Sequence, residues 1–363
     1  MKASAVPVPG FVTSADRAAR GRALLTAAAA LLALTTLLSL SVGPTGITLA
    51  SLPRVLWAAF TGSDSAAIAR EQFVLLDIRL PRTLLGGFVG ALLAVAGAMM
   101  QGLFRNPLAD PGLIGVSSGA ALAAVATIAL GNGLALPWVR TFGIYALPFA
   151  AFVGGLATTF ALVAIAGRHG QLMIGTLLLA GIAIGALAGA LSGLLAYASD
   201  DRELRDLTLW SMGSLSGASW PKVIAVLPFV GVVAVAVPRL IRGLNGFLLG
   251  EAEAFHLGID VEATKRLAIA VTAGAVGAAV AVAGVVGFVG IVVPHVIRLI
   301  AGPDHRVVLP AAALLGAALV LVADVLARML VRPAELPLGL VMAAIGAPVF
   351  LHLVLRRGIG GVE

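Results

Sequence analysis

The stretch Gly90-Ala91-Leu92-Leu93-Ala94-Val95-Ala96-Gly97 recurs 187 residues later as Gly277-Ala278-Ala279-Val280-Ala281-Val282-Ala283-Gly284. At the same offset Gly87 falls on Gly274, Pro107 on Pro294 and Gly115 on Gly302. Both copies lie in long apolar segments. Ala, Val and Gly are abundant in this chain, so the matching prolines and outlying glycines carry more weight than the aliphatic run. A hydrophobic helix repeated with a Pro-broken segment after it is the pattern of a transporter built from two homologous halves, with its path between them.

Composition bounds the class. Of 363 residues, 60% are hydrophobic and 11% charged, and the mean hydropathy is +1.07. A soluble domain cannot cover that much apolar surface, so the chain reads as an all-α polytopic membrane protein. A membrane β-barrel is excluded because the apolar runs are continuous instead of alternating with polar residues. The net charge of +7 does not imply nucleic acid, since excess Arg and Lys anchor the cytoplasmic edges of spans. With no cysteine, disulfides, thiol catalysis and zinc-thiolate sites drop out. Lys2, Arg17, Arg20 and Arg22 precede the apolar run 23–42. That run is too long for a signal-peptide core and no clear cleavage site follows it, so it is read as an uncleaved first span behind a cytoplasmic segment 1–22.

Ten apolar segments follow one another, at about 23–42, 83–103, 113–131, 145–166, 172–197, 222–241, 267–286, 288–301, 307–328 and 338–355. The eighth is short and carries Pro294, consistent with partial crossing. Starting inside places both termini in the cytoplasm, with 14 of the 24 basic residues on that side. The two copies are the second and seventh spans. They run in opposite directions, which makes an inverted repeat of the second to fifth spans against the seventh to tenth. No linker divides the chain, so residues 1–363 are expected to form one transmembrane domain. Residues 200–215 suggest a short amphipathic helix at the outer surface, and 242–266 form the main cytoplasmic excursion.

Gly181, Gly185, Gly189 and Gly193 lie four apart on the fifth span. Such a stripe admits a close helix neighbour or lines a smooth wall past which a large solute slides, and the two readings are compatible. Walker A chemistry is absent: none of the three lysines, Lys2, Lys222 and Lys265, follows a glycine. The histidines, His169, His256, His295, His305 and His352, show no zinc or haem-attachment spacing, so no metal site and no catalytic residue is assigned. Ion-coupled carriers need ionisable groups inside the membrane. Asp324 stands four residues before Arg328, a local helix pair, and Asp110 sits in a turn where it caps the next helix. The energy source therefore lies outside this chain.

The motifs Arg79-Leu80-Pro81-Arg82, Gln101-Gly102-Leu103-Phe104-Arg105-Asn106-Pro107-Leu108-Ala109-Asp110-Pro111-Gly112, Gly287-Phe288-Val289-Gly290-Ile291-Val292-Val293-Pro294-His295, Asp304-His305-Arg306 and Ala334-Glu335-Leu336-Pro337 together resemble the permease subunits of iron-complex and vitamin B12 (FecCD-type) ABC importers. The resemblance runs from about residue 70 to the C-terminus. It implies ten spans per subunit in a bacterial inner membrane, surrounded by lipid. It also implies a homodimer with one path at the subunit interface, a cytoplasmic ATPase dimer that holds the ATP, and a periplasmic substrate-binding protein. On that resemblance Gly250, Glu251, Glu253, Phe255, His256, Leu257 and Gly258 form the loop that couples to the ATPase. Arg79, Arg82 and Arg328 are expected to face outward and dock carboxylates of the binding protein, for which guanidinium forks are suited.

Within the family, the wording of 251–258 and of 208–215 looks closest to the haem-permease branch. The expected cargo is therefore haem, with no cofactor bound permanently; a ferric siderophore or cobalamin is the alternative. Met99, Met100, the glycines 181, 185, 189 and 193, and Tyr197 are the candidates to line the path, although methionines on apolar helices more often fill cores.

Overall fold

Helix dominates the architecture because backbone amides in a bilayer must be satisfied within their own segment. The computed structural model describes residues 14–43, 50–61, 66–131, 133, 136–168, 171–331 and 333–358; most of the N-terminal cytoplasmic segment expected at 1–22 lies outside them. In chain order the helices are α1 (Ser14–Ser41), α2 (Leu52–Thr61), α3 (Ala66–Phe73), α4 (Leu80–Leu103), α5 (Val116–Ala129), α6 (Leu136–Phe142), α7 (Ala146–Ala166), α8 (Ile174–Ala198), α9 (Asp201–Ser211), α10 (Trp220–Phe247), α11 (Glu251–His256), α12 (Val261–Ala283), α13 (Val289–Ala301), α14 (His305–Met329) and α15 (Leu338–Gly358). A π-helical turn, Val74–Arg79, joins α3 to α4. Two-residue strands β1 (Gly167–Arg168) and β2 (Gln171–Leu172) pair antiparallel just before α8.

Among the described residues seven helices are long and apolar enough to cross a membrane, and three shorter apolar helices accompany them. Each of the ten expected apolar segments falls on one of these. The protein is an all-helical polytopic membrane protein. Helices α4, α12 and α14 are largely buried inside the subunit, whereas α1, α7, α8 and α10 expose most of their apolar surface.

The first copy of the repeat explains itself through packing. A Cβ on Gly90 would collide with the main-chain carbonyl of Gly316 on α14, and one on Gly97 with that of Gly290 on α13. Lipid tails are as apolar as Leu, so helices in a membrane associate through such close backbone approach and through polar contacts. Gln101, one turn further along α4, supplies the polar contact. Its amide donates to the carbonyls of Gly290 at 3.3 Å and Ile291 at 3.2 Å. Pro294 has no N–H, so the carbonyl four residues back, that of Gly290, loses its helical donor. Gln101 replaces it.

The ungapped offset does not hold beyond the first helix of each half. Pro107 lies in the turn after α4, while Pro294 lies inside α13. Gly97 is mid-helix and Gly284 ends α12 with φ +70°. The reason is connection length: residues 104–115 separate α4 from α5, but only 284–288 separate α12 from α13.

These contacts predict opposite outcomes for neighbouring glycines. Gly97→Val should destabilise the folded subunit by about 2–3 kcal/mol and lower its detergent melting temperature. Gly87→Ala, which meets nothing within 4 Å, should leave it unchanged. Equal melting temperatures for the two variants would contradict the packing account.

Candidate functional site

Three regions carry the residues singled out from the sequence. The first is the short helix α11, expected from the sequence to lie in the cytoplasm. Gly250 and Gly258 flank it with φ +125° and +75°, conformations that side chains adopt at a cost. At its C-terminal end Gly258 N–H donates to Phe255 O at 2.9 Å and Ile259 N–H to Ala254 O at 3.1 Å. That is a complete Schellman closure, so this six-residue helix holds its shape although it is too short to persist by itself. Glu251 and Glu253 complement its N-terminal dipole. Ala254 is fully buried beneath it, yet Phe255 is 67% and Leu257 56% exposed. Beside these two side chains opens a groove of about 1100 Å³ lined by Gln171, Met173, His256, Ile259 and Asp260. Two apolar side chains are thus held outward on a stapled helix beside a broad groove, an exposed apolar patch of the kind that marks interaction surfaces.

The second region is the arginine cluster of Arg79, Arg82 and Arg328, and here the expectation of three outward-facing cations is corrected. Arg79 and Arg328 are only 3% and 6% exposed. Arg328 donates to the carbonyls of Val42 at 3.0 Å and Ser39 at 3.4 Å, and Arg79 donates to that of Leu40. These carbonyls end α1, where the last turn has no helical donors left. Both guanidinium groups therefore turn inward to cap α1. Arg328 also pairs with Asp324 at 3.1 Å, the i,i+4 pair expected from the sequence. Arg82 reaches nearer the surface. It bonds Asp324 at 3.0 Å through Nε and grips Glu335 with both terminal nitrogens at 3.0 and 2.9 Å. The cluster thus joins α1, α4, α14 and the loop before α15.

The third region is the proposed path. Met99 and Met100 are fully buried in the subunit core. They are removed from the path, because α4 is surrounded by α10, α12, α13 and α14. The glycine stripe on α8 divides. A Cβ on Gly181 would strike the carbonyl of Leu113, and Gly185 faces Ser118 Oγ at 3.9 Å, while Gly189 and Gly193 face open space. Tyr197, at the same C-terminal end of α8, is 90% exposed. Packing explains the N-terminal part of the stripe; the C-terminal part is a bare backbone surface.

Several positioning groups had not been singled out from the sequence. Asn245 Oδ1 accepts from the main chain and the Nδ1 of His305, each at 2.9 Å, and its amide donates to Asp304 at 2.8 Å. Arg298 donates to the carbonyl of Ala98 at 3.0 Å and to the side chain of Gln101. For Arg298 the available signal was a charge inside an otherwise apolar segment; Asn245 carried none. Asp110 caps the turn after α4 by accepting from Gly112 N–H at 2.7 Å. Burial raises its carboxyl above the usual range, and the Gly112 hydrogen bond acts against that shift. Among the described residues no three His, Asp or Glu side chains are grouped to hold a metal ion.

Comparison with known proteins gives a consistent picture. Residues 31–356 match the model of the FecCD transport family. The chain is 46% identical over 282 residues to the hemin transport system permease protein HmuU of Yersinia pestis, covering 78% of this chain and 83% of that one. It is 43% identical over 308 residues to the cobalamin import system permease protein BtuC of Halobacterium salinarum, covering 84% and 80%. Its fold superposes with a TM-score of 0.79 on a structure described as an inward-facing conformation of a metal-chelate type ABC transporter. That chain is 31% identical, with 92% of this chain and 99% of that one covered.

The capping geometry separates structure from docking. Replacing Arg79 or Arg328 by Met strands the α1 carbonyls and should cost about 1–3 kcal/mol, read as a lower melting temperature of the purified subunit. A purely docking role would leave the melting temperature alone and weaken only binding-protein association. At the other face, Phe255→Asp combined with Leu257→Asp should leave the melting temperature within a few degrees and abolish ATPase co-purification. Retained co-purification would contradict a partner surface there.

Proposed function

The chain belongs to the FecCD transport family, and we propose that it carries haem from a periplasmic binding protein to the cytoplasm. It is the permease subunit of an ABC importer and not itself an ATPase. Energy must arrive from outside, and the stapled helix α11 with its exposed Phe255 and Leu257 is the observation that carries this reading. A cytoplasmic ATPase dimer, one copy per permease subunit, seats on α11 and the adjoining groove. Both termini lie in the cytoplasm of a bacterial inner membrane.

The subunit has ten spans arranged as an inverted repeat, supported by reciprocal packing. In the first half α4 precedes α5, α7 and α8; in the second α12 precedes α13, α14 and α15. Helix α4 packs on α13 and α14, as α12 packs on α5 and α7, and the two lead helices pack on each other. A pseudo-two-fold axis that exchanges the halves maps each of these contacts onto another.

Two copies of the subunit enclose one path. The apolar surface that α8 leaves uncovered in one chain supports this, since Leu187, Leu191 and Leu194 are exposed around the open Gly189 and Gly193. The binding protein docks over the outer face near Arg82 and Glu335. Docking through Arg79 or Arg328 would require their bonds to α1 to break first.

Haem is the cargo on two supports: the chain resembles a hemin permease over 282 residues, and a bare glycine wall admits a flat, bulky, mostly apolar macrocycle. Weak holding suits conduction, because a tight site would trap the solute. Cobalamin is the second reading, favoured by the comparable likeness to a cobalamin permease.

Reconstituted permease, ATPase and binding protein, offered haem, cobalamin and a ferric siderophore in parallel, should take up haem. Uptake of cobalamin alone would overturn the cargo and leave the importer class standing. Gly189→Trp or Gly193→Trp should reduce haem uptake about tenfold or more with the fold intact, because the wall is narrowed. Met99→Leu, deep in the core, should leave uptake nearly unchanged.

A further inference from the structure

Lys265, in the second turn of α12, is the one lysine among the described residues that is buried. A lysine is buried only when its charge is paired, and here the three ammonium protons meet three oxygens from three elements. Glu251 Oε2, from the first residue of α11, lies at 2.6 Å; Glu262 Oε1, in the first turn of α12, at 3.3 Å; and the Leu172 carbonyl, in β2, at 3.4 Å. The other oxygen of Glu262 accepts the Leu172 N–H at 2.9 Å. Both main-chain groups of Leu172 are thereby fastened to the start of α12, and the same ammonium fastens α11.

The placement of Leu172 gives the arrangement its consequence. Two residues later, at Ile174, α8 begins. Helix α8 is mostly exposed within the subunit and presents the open glycines of the proposed path. A displacement of α11 therefore reaches the foot of α8 through Glu251, Lys265 and Leu172, with no intervening flexible chain. The outward side of α11 stays available to a partner while its first residue is held from within.

We propose that Lys265 is the positioning residue that couples α11 to α8, so that movement of the ATPase on one side alters the path on the other. The proposal rests on the reading of α11 as the ATPase-docking helix. Phe255 and Leu257 make the contact and Lys265 passes it on. Glu262 and Leu172 set the geometry that keeps the ammonium between the two helices.

The test uses the complete reconstituted complex and reads haem uptake per ATP hydrolysed. With Lys265→Met the complex should still assemble and hydrolyse ATP, and uptake per ATP should fall about tenfold, within the usual span of coupling effects. Lys265→Arg, which keeps a cation for both carboxylates, should recover much of the loss. A second variant separates coupling from charge balance: Lys265→Met with Glu251→Gln and Glu262→Gln leaves no unpaired buried charge. It should remain as poorly coupled as Lys265→Met, and it decides the matter if the single variant fails to assemble. Wild-type uptake per ATP in the triple variant would overturn the proposal, because Lys265 would then only neutralise its neighbours. The Phe255→Asp, Leu257→Asp variant serves as the control. If it releases the ATPase while Lys265→Met couples normally, the Lys265 proposal fails and the docking surface stands. If it keeps the ATPase and transports, the docking surface itself is wrong.

Discussion

Helix α4 crosses the subunit with its backbone against two neighbours at once, through Gly90 on α14 and Gly97 on α13. In a bilayer no hydrophobic gain draws one apolar helix to another, so this closeness and the polar contacts it permits hold the bundle together. Gln101 shows how the two work as one. The approach at Gly97 brings the Gln101 amide within reach of the carbonyl that Pro294 leaves without a donor. A larger residue at position 97 would separate the helices and strand that carbonyl in an apolar setting. The proline is tolerable because α4 is close, and α4 is close because of a glycine.

Charged groups then fix the ends of the bundle, where water is near but burial is still substantial. At one end Arg79 and Arg328 finish α1, and Arg82 links Asp324 to Glu335. At the other end Lys265 gathers α11, α12 and the β2 strand before α8. Such pairs add little net stability, since desolvation offsets most of their attraction, but removal of one partner leaves a costly buried charge. Their value lies in fixing which elements move together. The proposed division of labour follows from this arrangement: a rigid centre, with one end for the delivering protein and the other for the energy source.

Much of this was legible in the residues. Apolar run length located every long helix, and the resemblance singled out 250–258 as a coupling loop, which folds as α11. The absence of a glycine-lysine phosphate loop pointed to an external ATPase. Other features required three dimensions. A guanidinium reads the same in sequence whether it docks a partner or caps a neighbouring helix, and the separation of 39 positions from Leu40 to Arg79 hid the second role. Met99 and Met100 were candidates for the path because the side of α4 that faces its neighbours cannot be told from one that faces the cargo when the helix is apolar all round. Lys265 and Leu172 lie 93 residues apart, and no local pattern joins them. The glycine stripe on α8 was one feature in sequence and proved to be two in space.

The absence of cysteine from the chain makes one measurement especially direct. A single cysteine at position 255, carrying a short photoactivatable cross-linker, can be irradiated in membranes that contain the assembled transporter. A covalent product between this chain and the ATPase subunit is expected, and the same cysteine without the cross-linker should resist a membrane-impermeant thiol reagent applied from outside. Labelling from outside with no ATPase product would place α11 on the wrong face of the membrane and contradict the account at its centre.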